Sequence, residues 1–94
     1  EVPASEHAAL VAAGAQLVDV REPEEVAAAA VPDIIHIPLG QLVDRVGELD
    51  PTRPVALMCR SGGRSGKAAE FLAANGFDDV TNLAGGMMSL GLQD

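Results

Sequence analysis

Val55-Ala56-Leu57-Met58-Cys59-Arg60-Ser61-Gly62-Gly63-Arg64-Ser65 is the stretch that decides how this chain folds. Its four leading apolar residues read as a short buried strand, the two glycines break the run, and from about Ser65 to Asn75 the pattern is helical. The unit is therefore strand, loop, helix. Cys59, the one cysteine of the chain, stands where the strand ends. A thiol in a loop of glycines, serines and two arginines is in surroundings that hold a thiolate at neutral pH.

Working outward, apolar runs and helical patterns alternate. Ser5 is placed to cap a helix over about 6–13, which Gly14 stops. Leu17-Val18-Asp19-Val20 reads as a strand, and Pro23-Glu24-Glu25 opens a helical turn with acids at its positive end. Ile34-Ile35-His36-Ile37 is a further strand, halted by Pro38. Leu39, Leu42, Val43, Val46 and Leu49 recur at helical spacing. Beyond the cysteine loop the helix ends in Asn75-Gly76, with Phe77 set to pack back on Leu72 in a Schellman cap. Val80 to Leu83 is a last strand, and Gly85-Gly86 precedes a short terminal helix. Short strands that are apolar on both faces and separated by helices imply an α/β fold, with a central, mostly parallel sheet of four to five strands covered by helices on both faces. Such sheets bind ligands beyond the carboxyl ends of their strands, here the loops 21–25, 38–41, 59–65 and 84–87.

The bulk properties set bounds. At 94 residues the chain is expected to form a single domain over 1–94, able to bury about 60–65% of its unfolded surface. With two aromatics, Phe71 and Phe77, its core must be aliphatic. No apolar stretch is long enough to span a membrane, and no signal-peptide pattern opens the chain. It begins at Glu1 without a methionine, which fits a processed or excised piece and leaves room for a lost leader. A lone cysteine makes no internal disulfide, so a reducing cytosol is the expected home. The net charge of −8 argues against nucleic acid and anionic membrane as partners. Charge placement says more: between Asp50 and Glu70 there is no acid, while Arg53, Arg60, Arg64 and Lys67 fall there, making a cationic spot around Cys59 on an anionic protein.

Three features are expected to lower the Cys59 pKa. The following helix aims its unpaired N–H groups and positive dipole end at the loop. Gly62 and Gly63 can turn successive N–H groups inward as an anion nest, and Arg60 and Arg64 add fixed positive charge. The bland alternative is an inert, buried cysteine at a strand end, which these polar surroundings disfavour. Among thiolate chemistries, phosphotyrosine-type phosphatases have five residues between cysteine and arginine. Here only Arg60, Ser61, Gly62 and Gly63 separate Cys59 from Arg64. A ring one residue shorter has a smaller bowl of donors, better suited to one sulfur atom than to a phosphate dianion.

Five blocks in order then resemble the single-domain rhodanese family of sulfurtransferases: Leu17-Val18-Asp19-Val20-Arg21-Glu22-Pro23; Val31-Pro32 through Ile35-His36-Ile37-Pro38-Leu39; Cys59 to Ser65; Gly76-Phe77; and Leu83-Ala84-Gly85-Gly86-Met87. The resemblance implies a rhodanese-like three-layer fold. It implies a ping-pong thiosulfate sulfurtransferase in which the Cys59 thiolate takes a sulfane sulfur as a persulfide and passes it to cyanide or a thiol. The N–H groups from Arg60 through Ser61, Gly62, Gly63 and Arg64 to Ser65 would cradle the persulfide anion. Arg60 and Arg64 are candidates for attracting the sulfonate end of the donor; either is alternatively structural, paired with Asp19 or Glu22 across the sheet edge. Asp19, Arg21 and Glu22 are expected as supporting residues. No cofactor and no metal is implied. The partners are a small anionic sulfur donor and a thiol or protein sulfur acceptor, the chain being a monomer or weak dimer.

The sequence departs from the family pattern twice. Ala29-Ala30-Val31-Pro32-Asp33 stands where Gly-His-Ile-Pro-Gly is common, and Leu90 replaces a common tryptophan, changes that bear on local packing and substrate screening. His7 and His36 are given ordinary surface or core roles, and Met87-Met88 core or pocket lining. Two other readings compete with the enzyme: a non-catalytic interaction or regulatory module, or persulfide carrier, within a larger sulfur-trafficking system; and a phosphatase or arsenate reductase, which the loop length disfavours.

Overall fold

The computed structural model describes residues 1–91. Five strands, β1 (Val2–Pro3), β2 (Gln16–Asp19), β3 (Ile35–His36), β4 (Val55–Met58) and β5 (Val80–Ala84), form one sheet in the order β1-β5-β4-β2-β3. Every pairing is parallel. The helices between them are α1 (His7–Ala12), α2 (Pro23–Ala28), α3 (Leu42–Arg45), α4 (Gly63–Ala74) and α5 (Gly86–Ser89).

Strand periodicity divides the core in two. Val18, Val20, Val55, Leu57 and Cys59 share one face with Leu42 of α3 and Ala68 and Leu72 of α4. Their neighbours Leu17, Ala56, Met58 and Leu83 point the other way, onto Ala4, Leu10, Val11 and Met87. Helices thus cover both faces, the three-layer arrangement expected. The same alternation puts Cys59, two residues beyond Leu57, on the side where α4 begins. That helix ends as its sequence implies: Gly76 has φ +92°, the Phe77 N–H donates to Leu72 O at 3.1 Å, and both side chains lie in one core cluster. Burying Leu72 completely contributes about 1.5–3 kcal/mol.

Four local expectations are corrected. Ser5 caps nothing: it lies in a 3-10 turn (Ala4–Glu6), and Glu6 occupies the cap position of α1. The helical run from Leu39 breaks into a 3-10 turn (Leu39–Gln41), the single turn of α3 and a second 3-10 turn (Val46–Glu48). Gly40 and Gly47 weaken a continuous helix there, and the Leu39 N–H is tied instead to Val20 O at 3.0 Å. The strand at 34–37 shortens to Ile35–His36, although Ile37 N–H still bonds Asp19 O at 3.1 Å. Finally, α4 starts at Gly63, two residues before the expected Ser65. The two-residue β1, in register with Leu83 and Ala84, is too short to leave a periodic signal. Among the described residues no helix is long and apolar enough to cross a membrane.

Candidate functional site

The carboxyl ends of β2 and β4 lie side by side, with Asp19 opposite Met58, and the candidate residues hang from these two ends. Cys59 follows β4 directly. Because α4 begins at Gly63, Gly62 is its cap residue, with φ +109°. That left-handed conformation, natural only to glycine, turns the Gly62 N–H onto Cys59 Sγ at 3.0 Å. Gly63 does not share it and is an ordinary first helical residue, so the expected pair of inward-turning glycines reduces to one.

Ser65, three residues past the cap and fully buried, sets its Oγ 3.3 Å from Cys59 Sγ and 3.3 Å from Gly62 O. Cys59 itself is only 1% exposed and packs in the apolar cluster with Ala68 and Leu72. A thiol buried among aliphatic side chains alone is inert; this one also faces polar hydrogens. Burial pushes the thiol pKa up, and hydrogen bonds more than cancel it: the Ser65 hydroxyl and the amide hydrogens of Ser65, Gly62 and Ser61 hold it below its ordinary value. Of the three features expected to lower it, the loop's hydrogen-bond donors at contact distance are the ones that act on the sulfur.

The Arg64 guanidinium grips Glu25 in a two-pronged pair, Nη1 to Oε1 at 2.6 Å and Nη2 to Oε2 at 2.8 Å. Neither Asp19 nor Glu22 is its partner, as had been expected of a structural arginine here. Glu25 Oε1 also accepts the Glu22 N–H at 2.9 Å, so one carboxylate closes the first turn of α2 and holds the first turn of α4. Its pull, chiefly through these hydrogen bonds, raises the Arg64 pKa further. Glu22 stays at the surface as the cap residue of α2, and Arg60 and Ser61 are exposed at the rim of the loop.

Asp19 and Arg21 are both fully buried and satisfy each other. Arg21 Nε lies 3.0 Å from Asp19 Oδ1 and Nη2 lies 2.9 Å from Oδ2, while the Arg21 N–H donates to Oδ1 at 3.0 Å. Arg21 Nη1 also donates to Glu25 O at 3.3 Å and Nη2 to Ala29 O at 2.7 Å, carbonyls of α2 and of the residue that follows it. His36 Nε2 sits 2.7 Å from Arg21 O, which as a carbonyl only accepts, so that nitrogen carries the proton. These residues build the wall beside the thiol and do not touch it.

Asn82, which the sequence does not single out, and Gly86, from the loop 84–87, complete the site. Asn82, in β5, donates from Nδ2 to Gly62 O at 3.1 Å and accepts from the Ser65 hydroxyl. Its only signal was a polar residue, beside Thr81, in the strand read from Val80 to Leu83. Gly86, with φ +53°, lies so close to the loop that an added Cβ would sit 2.3 Å from Cys59 O. Behind it the Met87 and Met88 N–H groups each donate at 2.9 Å, to Cys59 O and Arg60 O. The loop's carbonyls are thus held from the back while its amide hydrogens face the sulfur. A separate cavity of about 200 Å³, lined by Leu10, Pro54, Val55 and Asp79 among others, opens at the amino ends of β4 and β5, away from Cys59. Among the described residues no group of three His, Cys, Asp or Glu side chains is placed to hold a metal ion.

With this geometry in hand, comparison with known proteins is direct. The family model for the rhodanese-like domain matches residues 3–91. YqhL of Bacillus subtilis is 43% identical over 77 residues, which make up 82% of this chain and 61% of that protein. Thiosulfate sulfurtransferase GlpE of Pseudomonas syringae is 35% identical over 85 residues, 90% of this chain and 80% of that one. Among solved structures, a rhodanese-like domain protein from Staphylococcus aureus superposes with TM-score 0.83 at 31% identity, covering 93% of this chain and 86% of the other.

Proposed function

This chain belongs to the rhodanese-like domain family, and on that premise we propose that it moves a sulfane sulfur from a small anionic donor such as thiosulfate to a thiol or cyanide through a persulfide on Cys59. The observation that carries the reading is the convergence on one sulfur of the Gly62 N–H at 3.0 Å and the Ser65 Oγ at 3.3 Å. Hydrogen bonds to the charged form favour it, and a thiolate is the form that attacks sulfur.

In the first half-reaction the Cys59 thiolate attacks the outer sulfur of thiosulfate. The Sγ–S bond forms, the donor's S–S bond breaks, and its electron pair leaves with sulfite. The terminal sulfur of the persulfide then carries the negative charge. In the second half-reaction an acceptor thiolate or cyanide attacks that terminal sulfur, and the pair of the breaking bond returns to Sγ. Preorganised amide hydrogens stabilise each anion without reorganisation. Arg60, at the exposed rim, attracts the sulfonate end of the donor, while Arg64, engaged by Glu25, braces the loop against α2. A reducing compartment such as the cytosol suits this chemistry.

Intact-protein mass spectrometry after incubation with thiosulfate is the test. The wild-type chain is expected to gain one sulfur atom, to lose it on adding cyanide, and to gain none as Cys59→Ser. A wild-type mass unchanged by thiosulfate and by a small-molecule persulfide overturns the assignment and leaves a non-catalytic module.

A further inference from the structure

One hydroxyl at the site has more acceptors than protons. Ser65 Oγ reaches Cys59 Sγ, Gly62 O and Asn82 Oδ1, yet a serine has a single O–H to give. The Asn82 amide is not free to turn over. Its Nδ2 donates to Gly62 O at 3.1 Å and to Glu1 Oε2 at 2.9 Å, both of them acceptors, so Oδ1 must face Ser65. The hydroxyl therefore stands between a sulfur whose charge changes during the reaction and an amide oxygen whose charge does not.

Which acceptor wins follows from electrostatics. A hydrogen bond to an ionised acceptor is about twice as strong as one between neutral groups, so a thiolate at Sγ draws the proton. Once Sγ is the inner, neutral sulfur of a persulfide, it is a poor acceptor and the amide oxygen takes over. We propose that Asn82 is a positioning residue acting through Ser65: its amide oxygen holds the hydroxyl proton while Cys59 carries sulfur and releases it to Sγ as the thiolate departs. No proton leaves the site and no electron is exchanged with an outside agent. The S–S bond breaks, its pair settles on Sγ, and the hydroxyl rotates to meet it. The inference rests on the persulfide reading of Cys59. The charged groups around this pair are Glu1 at Asn82 Nδ2 and the Arg64–Glu25 pair on α4 and α2.

The test is a double-mutant cycle of Asn82→Asp with Ser65→Ala, read as the pH midpoint of iodoacetamide alkylation of Cys59. A carboxylate at position 82 competes harder for the hydroxyl, so Asn82→Asp raises the midpoint by about 0.5–1 pH unit, and by less than half as much when Ser65 is already alanine. Discharge of the sulfur-loaded protein to a thiol slows by about threefold in Asn82→Asp, as the leaving thiolate loses its donor. Additive midpoint shifts, or an unchanged discharge rate, overturn the proposal. Should Asn82→Asp not fold, Asn82→Ala takes its place in the cycle, where coupling of about half a pH unit is expected and additivity is again fatal. Alkylation needs no sulfur donor. A chain that couples Asn82 to Ser65 but never gains sulfur overturns the function proposed above, whereas normal loading with an additive cycle overturns only the role of Asn82.

Discussion

Two loops leave the sheet side by side, after β2 and after β4, and they use polar groups in opposite ways. The β2 exit carries full charges, Asp19 and Arg21, and closes them on each other and on the end of α2. The β4 exit turns uncharged donors, the Gly62 N–H and the Ser65 hydroxyl, onto a single sulfur. A buried charge that is closely paired has its field largely offset by its partner. A neutral donor held at contact distance costs little to bury and acts in full on any anion that forms beside it. The charges therefore build the wall, and the neutral groups tune the thiol.

The sharpest way to break this contrast is Arg21→Met. It leaves the Asp19 carboxylate buried and uncompensated, and stability to urea is expected to fall by about 3–5 kcal/mol. If reactivity divides as argued, the fraction that stays folded still has a Cys59 alkylation midpoint below the ordinary thiol value of about 8.5. A midpoint that returns to normal would show that the wall tunes the thiol after all.

Gly62→Ala attacks the other loop. It forces a side chain into the left-handed conformation at a cost of about 1–2 kcal/mol, and it displaces the amide aimed at Sγ. The alkylation profile should move upward in pH while urea stability falls less than for Arg21→Met. In the wild type the sign is set by the depressed thiol pKa. The preference for thiolate adds stability above the unfolded thiol value of about 8.5, and this is lost as pH falls through the folded value. Denaturation midpoints of the wild type should accordingly rise between those two points, and those of Gly62→Ala should rise less.

Glu25→Gln gives the smallest expected effect. The Arg64–Glu25 pair is partly exposed, with 34% and 19% of the two side chains accessible, so its loss should cost at most about 1 kcal/mol. Releasing Arg64 beside Cys59 is expected to improve loading from dianionic thiosulfate more than loading from a monoanionic persulfide. Equal effects on the two donors, followed by mass, would mean that Arg64 remains fixed without Glu25.

Much of this was legible along the chain. The order of strands and helices followed from short apolar runs and turn residues, and the Cys59 loop from its glycines. The Gly76-Phe77 end of α4 was readable because every part of a Schellman cap is local. The failures have a common cause. Ser5 was matched to a helix start by residue type, while the backbone there follows a 3-10 turn that leads out of β1. The partner of Arg64 was sought in Asp19 and Glu22, and the carboxylate within reach is Glu25, one helical turn along from Glu22. Asn82 lies 17 residues from Ser65 in the chain and reaches its hydroxyl from β5, the strand paired with β4.

By itself the sequence determined the architecture and the candidate for the reactive atom, since the period of apolar residues and the glycines around a lone cysteine act over a few residues at a time. Only the tertiary structure decided which groups govern that atom. It engaged Arg21 and Arg64 with carboxylates, buried the sulfur, brought a serine hydroxyl against it, and set an asparagine amide from another element against that hydroxyl. Hydrogen bonds and ion pairs act within about 3–4 Å, and the distances that matter here are set by how parallel strands stack their carboxyl ends.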